Sequence, residues 1–310
     1  MSNYYNTSWM ENDRRMRTPF WKRAIYSLCR PFLSLRAKSY LNKKTIQRWH
    51  PECVLISRGM PLETKKRWAT KSFDLSQSVI LIQGTGTGWD ALAWARLKPR
   101  KIIGVDLFSF ENSWNEIIDF CKQQYEVDVE FRQSSLENIA FLPNESIDIC
   151  ASENVFEHCQ DLPKVMRESF RVLKPHGMVF ASYGPLWYSA GGDHFSVRGG
   201  LNNCFNHLFL SPEEYKHFFH ANLQETEDFQ NGGRYVELDL FSKHSTQQYF
   251  DIYQQAGFNV DGLMLQLSPY SLRFREKYPE KFKRLMAQYR EICTEDDFLI
   301  GTHVVRLKKK

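Results

Sequence analysis

The chain has 310 residues, 42% hydrophobic and 25% charged, with a formal net charge of +5. This is enough to bury one large core with a modest appended unit; no apolar run approaches the roughly 18 residues that read as a membrane span, and Met1-Ser2-Asn3-Tyr4-Tyr5 opens no charged-then-apolar signal segment. Seven cysteines without a Cys-x-x-Cys pair read as reduced thiols in a cytoplasm, which excludes a disulfide scaffold and structural zinc.

Residues 1–75 are expected to form a basic helical extension, broken at Pro19, Pro31 and Pro61. Between Arg14 and Arg48 lie eleven Lys and Arg, preceded only by the acids Glu11 and Asp13, so the positive charge belongs to this segment and the rest of the chain is net acidic. Trp21, Ile25, Leu28, Phe32 and Leu35 recur at helical spacing, with Lys22, Arg23, Arg30 and Arg36 around them. Such a stripe suits peripheral contact of residues 14–48 with an anionic membrane or a lipid-linked glycan, at the inner face of a membrane, or packing on the body; the interruption at Pro31 favours packing.

From Ser78 short β-branched runs alternate with amphipathic ones, the pattern of a parallel sheet with crossover helices. The reading is an α/β, Rossmann-like fold with a seven-stranded, mostly parallel sheet. Strands are expected at Val79–Gln83, Lys101–Asp106, Val129–Arg132, Ile147–Ser152, Met178–Tyr183, Asn259–Leu265 and Phe298–Leu307. Helices are expected at Trp89–Leu97, Trp114–Tyr125, Leu162–Leu173, Thr246–Ala256 and Leu272–Ile292. Residues 76–183 and 246–310 would then form the core. Residues 184–245 interrupt the rhythm for far longer than the usual connection and are expected to be an inserted, acceptor-binding lid after strand 5. Within it Ser211-Pro212-Glu213-Glu214 is a capping-box helix start.

The first of these strands runs into Gly84-Thr85-Gly86-Thr87-Gly88 and then a helix; the second ends in Asp106. A glycine turn lets a cofactor lie on bare backbone, and a carboxylate at the next strand end can accept both ribose hydroxyls of an adenosine. Position 89 is Trp, so the third glycine comes one residue too early for a dinucleotide fingerprint, and the Lys-Ser/Thr of a P-loop is absent. The cofactor expected is an adenosine without a pyrophosphate.

Together with Ser146-Ile147-Asp148-Ile149-Cys150, Val155-Phe156-Glu157-His158 and Arg171-Val172-Leu173-Lys174-Pro175-His176-Gly177, these residues resemble the class I S-adenosylmethionine-dependent methyltransferases, in particular the type-11 branch that includes ubiquinone-biosynthesis enzymes. The resemblance covers roughly residues 78–183 and implies S-adenosyl-L-methionine as cofactor. It implies that Gly84, Thr85, Gly86 and Gly88 line the methionine and ribose, that Asp106 holds the ribose hydroxyls, and that Leu107 packs on adenine. Ser135 and Leu136 would meet the adenine amine, and Glu153 and Asn154 would close the floor. Gln83 and Ser135 stand where the family usually has acids, which removes a charge-assisted hydrogen bond at each.

The acceptor is expected in the insertion, at the carboxyl edge of the sheet. A hydroxyl must lose its proton as it attacks, so His194 and Asp193 on a glycine-flexed loop are the candidate base and its orienter, with His207 the second choice as base. Glu157-His158 reads as a structural helix start and Cys150 as core. A metal site from Asp193, Glu157 and His194 needs three neighbours that sequence does not supply, so no metal is expected. Trp187, Tyr188, Phe195 and Phe205 would suit stacking on sugars. The function expected is O-methylation of a small-molecule or glycan acceptor in polysaccharide or glycoconjugate synthesis. The alternatives are a non-catalytic cofactor-binding scaffold of the same fold and an RNA methyltransferase with residues 1–50 as a basic arm. Nucleic acid is not the expected partner, because the Pro-Cys and Asn-Pro-Pro-aromatic signatures of base methylation are missing.

Overall fold

The computed structural model describes residues 20–55, 60–223 and 236–310; Arg14, Arg15, Arg17 and Pro19 lie outside the described residues. Its strands are β1 (Glu52–Leu55), β2 (Val79–Gln83), β3 (Lys101–Asp106), β4 (Asp128–Gln133), β5 (Ile147–Glu153), β6 (Leu173–Tyr183), β7 (Phe258–Leu267) and β8 (Ile300–Lys309). They form one sheet in the order β1-β7-β8-β6-β5-β2-β3-β4. β4, β3, β2, β5 and β6 are mutually parallel, and β8 runs antiparallel to both β6 and β7.

The central strands are continuous apolar runs because both of their faces are covered. Alternate residues of β2 serve opposite layers, Val79 and Leu81 joining one core, Ile80 and Ile82 the other. Trp94 from helix Trp89–Ala95 and Ile117 from helix Glu111–Tyr125 complete the second layer.

The sheet has eight strands where seven are expected. The eighth comes from the N-terminal segment, which is therefore more than a helical extension: β1 pairs in parallel with β7, from Glu52 against Met264 to Leu55 against Leu267, and buries Cys53 and Val54. Four residues are too few to show a period of two in a sequence. Helix Met60–Ser72 follows, burying Lys65 and Ala69.

Helix Phe20–Lys38 runs through Pro31 without ending there, at the cost of one backbone hydrogen bond. It does pack on the body, but through the other face from the one expected. Ala37 is buried and Leu33 and Ser34 are half-buried, whereas Leu28, Phe32 and Leu35 are 81%, 82% and 67% exposed. At the far end, the single helix expected over Leu272–Ile292 is two, Pro269–Lys277 and Pro279–Gln288. Pro279 excludes helical backbone from the residue before it, and Tyr278 sits at φ −129°, ψ 58°.

After β6 the chain folds into short turns, helix Asn206–Phe209 and helix Pro212–Leu223, the last opened by reciprocal Ser211–Glu214 hydrogen bonds. Phe195, Tyr215, Phe219, Val236 and Phe241 give this region a small core of its own.

Candidate cofactor and acceptor site

β2 and β5 are neighbours, but the chain leaves β2 toward β3 on one side and returns to β5 on the other. A crevice outside the carboxyl ends of the strands is the geometric consequence. It holds a cavity of about 520 Å³ lined by Gly84, Thr85, Gly86, Asp106, Leu107, Ser135, Leu136, Glu153 and Asn154. Gln83 and Gly88 do not line it. Gln83 is buried and its Nε2 donates to Ser169 Oγ at 2.8 Å, so it faces the core. Gly88 serves packing: a Cβ there would lie 2.8 Å from Ile117 Cδ1.

The loop is held over the end of β3 by Gly84 N and Thr85 N, which donate to Val105 O at 2.8 and 3.1 Å. Gly84 is required twice over, by φ +70° and by Val155, whose Cγ2 would lie 2.2 Å from a Cβ. Gly86 also has positive φ, yet nothing lies within 4 Å of a Cβ there; its backbone opens onto the cavity. Its N–H donates to Asp106 Oδ2 at 2.7 Å, and Phe108 N donates to Oδ1 at 2.9 Å. The carboxylate is thus fixed at the rim with its remaining lone pairs available. Burial raises its pKa, and these backbone donors oppose the rise. Leu107 beside it is 47% exposed, an apolar platform on the cavity wall.

Behind the floor lies a side chain that sequence reasoning missed. Lys65, from helix Met60–Ser72, is fully buried; its Nζ donates to Ser152 O at 2.8 Å and Ser182 Oγ at 3.2 Å and pairs with Glu153. Ser182 Oγ in turn donates to Glu153 Oε2 at 2.5 Å. Burial, and then the nearby Glu153 charge, push Asp90 up to about 7, against Lys65 and Lys66. Asp90, Asp106, Glu137 and Glu153 line the cavity, and no Lys or Arg does among the described residues. That wall suits a ligand with a positive centre.

At the other end of the cavity stands His158. Its Nδ1–H donates to Leu240 O at 2.9 Å, which makes Nε2 the acceptor nitrogen of the ring. His194 packs against it with ring centroids 4.7 Å apart. Burial lowers His158 to about 4 and His194 to about 3, so both rings are neutral at pH 7. Glu157 Oε1 accepts from Gly184 N at 2.8 Å, and burial raises this carboxyl to about 8. One ligand atom each from Glu157, His158 and His194 lies within 4.8 Å of the others.

Asp193 is not part of that cluster, nor does it orient His194. Its carboxylate accepts from Ser196 N at 3.0 Å, Ser196 Oγ at 2.7 Å and Tyr215 OH at 2.6 Å, with His207 Nδ1 3.5 Å away. His194 has φ +68°, and this left-handed turn sends the adjacent side chains to different neighbours. His207 is buried, donates through Nε2 to Trp187 O at 2.8 Å and does not line the cavity. The aromatic residues expected to meet sugars are not available either. Tyr188, Phe195 and Phe205 are buried, and Trp187 packs at a tilt against Phe241.

Glu157 yields an expected result of its own. The folded state holds its proton up to about pH 8, whereas the unfolded chain releases it near the ordinary carboxylate value. Its contribution to stability is therefore present at low pH and lost as pH rises through about 8. Thermal melts across neutral pH should show a steeper loss in the wild type than in Glu157→Gln. Equal slopes would mean that this carboxyl is already ionised in the folded protein.

Residues 81–181 match the family described as a methyltransferase domain. A malonyl-[acyl-carrier protein] O-methyltransferase of Yersinia pestis is 33% identical over 104 residues, 34% of this chain and 36% of that protein. Its counterpart in Serratia marcescens is 28% identical over 103 residues, 33% of this chain and 37% of that one. The chain thus spans little more than a third of the length of these curated relatives. The solved structure of an S-adenosylmethionine dependent methyltransferase from Mesorhizobium loti aligns over 80% of this chain and 96% of its own, with TM-score 0.47 and 11% identity. Over residues 81–181, about a third of its length, this chain is similar to the methyltransferase-domain family.

Proposed function

We propose that this protein methylates a hydroxyl oxygen of an uncharged acceptor, a small molecule or a glycan, at the expense of S-adenosylmethionine. The observation that carries the reading is a neutral histidine, His158, on the wall of a cavity whose other lining side chains are apolar, polar or acidic. The cofactor, when bound, supplies a methyl group on a cationic sulfur. The residues present fit it: open backbone at Gly86, a fixed carboxylate at Asp106 for the ribose, Leu107 and Leu136 for adenine, and Glu153 and Asn154 beneath the cationic end.

His158 Nε2 is placed to take the proton that the acceptor hydroxyl would lose on receiving the methyl group the bound cofactor would supply. Nδ1–H, held by Leu240 O, keeps the ring in the tautomer this requires. His194, against the ring face, positions it. The relatives' name, malonyl-[acyl-carrier protein] O-methyltransferase, supports oxygen as the methylated atom. A carboxylate acceptor would want a cation on the wall, and the described lining has none, which favours a hydroxyl. Sugars offer such hydroxyls, and a role in polysaccharide or glycoconjugate synthesis in the cytoplasm follows from this reading.

The cofactor half is tested by calorimetry. S-adenosylhomocysteine should bind in preference to NAD, and Asp106→Ala should weaken it by about 1.5–3 kcal/mol, the range for a hydrogen bond to a charged group. Tight NAD binding, or an Asp106→Ala protein with unchanged affinity, would remove the basis of the assignment. The acceptor half needs a screen of hydroxylated compounds and of carboxylic acids with labelled cofactor. Turnover confined to the acids would overturn it.

A further inference from the structure

We propose that helix Phe20–Lys38 docks this protein on an anionic lipid bilayer, with Leu28, Phe32 and Leu35 entering the interface between headgroups and acyl chains. These three side chains are 81%, 82% and 67% exposed, although they stand on a helix whose opposite face is packed on the body through the buried Ala37. At 3.6 residues per turn they fall on one narrow stripe, and Trp21 and Ile25 continue it in sequence. The helix is therefore fixed by one side while it presents an apolar ridge on the other. No helix among the described residues is long and apolar enough to cross a membrane, so the ridge lies on a surface.

Charge selects the occupant. From Arg14 to Pro51 the sequence holds eleven Lys and Arg and no Asp or Glu. Among the described ones, Arg36, Lys43, Lys44 and Arg48 are exposed beside or just beyond the ridge. An apolar ridge on a segment that itself carries cations and no acid matches anionic lipid, which offers hydrocarbon behind negative headgroups. A second copy would bring like charge against like charge, and a nucleic acid gives Leu28, Phe32 and Leu35 nothing to enter.

The inference is independent of the methyl-transfer reading, and the experiment keeps the two apart. The full chain is sedimented with vesicles of phosphatidylcholine containing roughly a third phosphatidylserine, and with phosphatidylcholine alone. Partition into the mixed vesicles should exceed that into the neutral ones by roughly tenfold or more and should fall as salt is raised. The triple variant Leu28→Asp, Phe32→Asp, Leu35→Asp should lose binding by at least about tenfold, with its affinity for S-adenosylhomocysteine unchanged. The proposal fails if anionic vesicles do not bind the protein or if the triple variant binds them equally well. It also fails if the protein is a dimer in solution that the triple variant dissociates.

Discussion

Replacing His158 with alanine should lower turnover by about 100–10,000-fold, the range expected when a positioned base is lost. The affinity for S-adenosylhomocysteine, measured by calorimetry, should change little, because the contacts proposed for the cofactor are at Gly86, Asp106 and the floor. His158 owes its low pKa to burial, so it stays unprotonated through neutral pH and its acid limb in a rate profile should fall near pH 4. His194→Ala should cost less, since His194 packs on the His158 ring and does not line the cavity, and its loss should appear together with a shift of that acid limb. His158→Gln, of similar size and able to accept from a hydroxyl but not to carry off its proton, separates loss of shape from loss of the base. A His158→Ala enzyme with wild-type turnover would sink the proposal, and an inactive His194→Ala beside an active His158→Ala would reverse the roles.

Lys65→Met should destabilise the fold by about 3–5 kcal/mol, because it strands the Glu153 carboxylate without its cation. Side-chain exposure is 1% for Lys65 and 17% for Glu153, so solvent screens the pair poorly. The substitution also leaves Ser152 O and Ser182 Oγ without the Nζ donor. Denaturant titration should show the midpoint falling with the slope unchanged. Adding Glu153→Gln should recover part of the loss, since the second change removes the charge that the first left unpaired. A single Lys65→Met protein as stable as wild type would mean that Glu153 is content alone, by protonation or by water.

What is legible in the sequence follows from how each feature is built. β2 and the middle of β3 are covered on both faces, so they appear as apolar runs, and the turn at Gly84 announces itself because no other residue tolerates both its φ and the closeness of Val155. Asp106 is marked by its place at a strand end. Lys65 is not marked, because a lysine in a basic helix reads as solvent-facing until the burial of that helix is known. Asp193 and His194 read as partners because they are adjacent, but one positive φ is enough to part them. His158 reads as a helix-start residue, and nothing local to it indicates that Leu240, more than eighty positions later, fixes its ring at the cavity wall. The stripe Leu28, Phe32, Leu35 is visible, but periodicity reports that a face is apolar and is silent on which way it points.

The pairing of β1 with β7 ties the order of synthesis to the risk of misassembly. The edge strand Glu52–Leu55 is made early, and its register partners, Met264–Leu267, emerge roughly two hundred residues later. Asp296, later still, accepts from Asn42 N at 2.9 Å and Thr45 Oγ1 at 2.5 Å and so pins the same segment. At about 5–20 residues per second a ribosome needs on the order of 10–40 s to cover that interval. Throughout it Cys53 and Val54 sit on a strand with open backbone groups, beside other nascent copies in the same state on a polysome. Expression yield should therefore depend on translation speed through residues 56–267 and on chaperone supply, even for variants whose finished fold is as stable as the wild type.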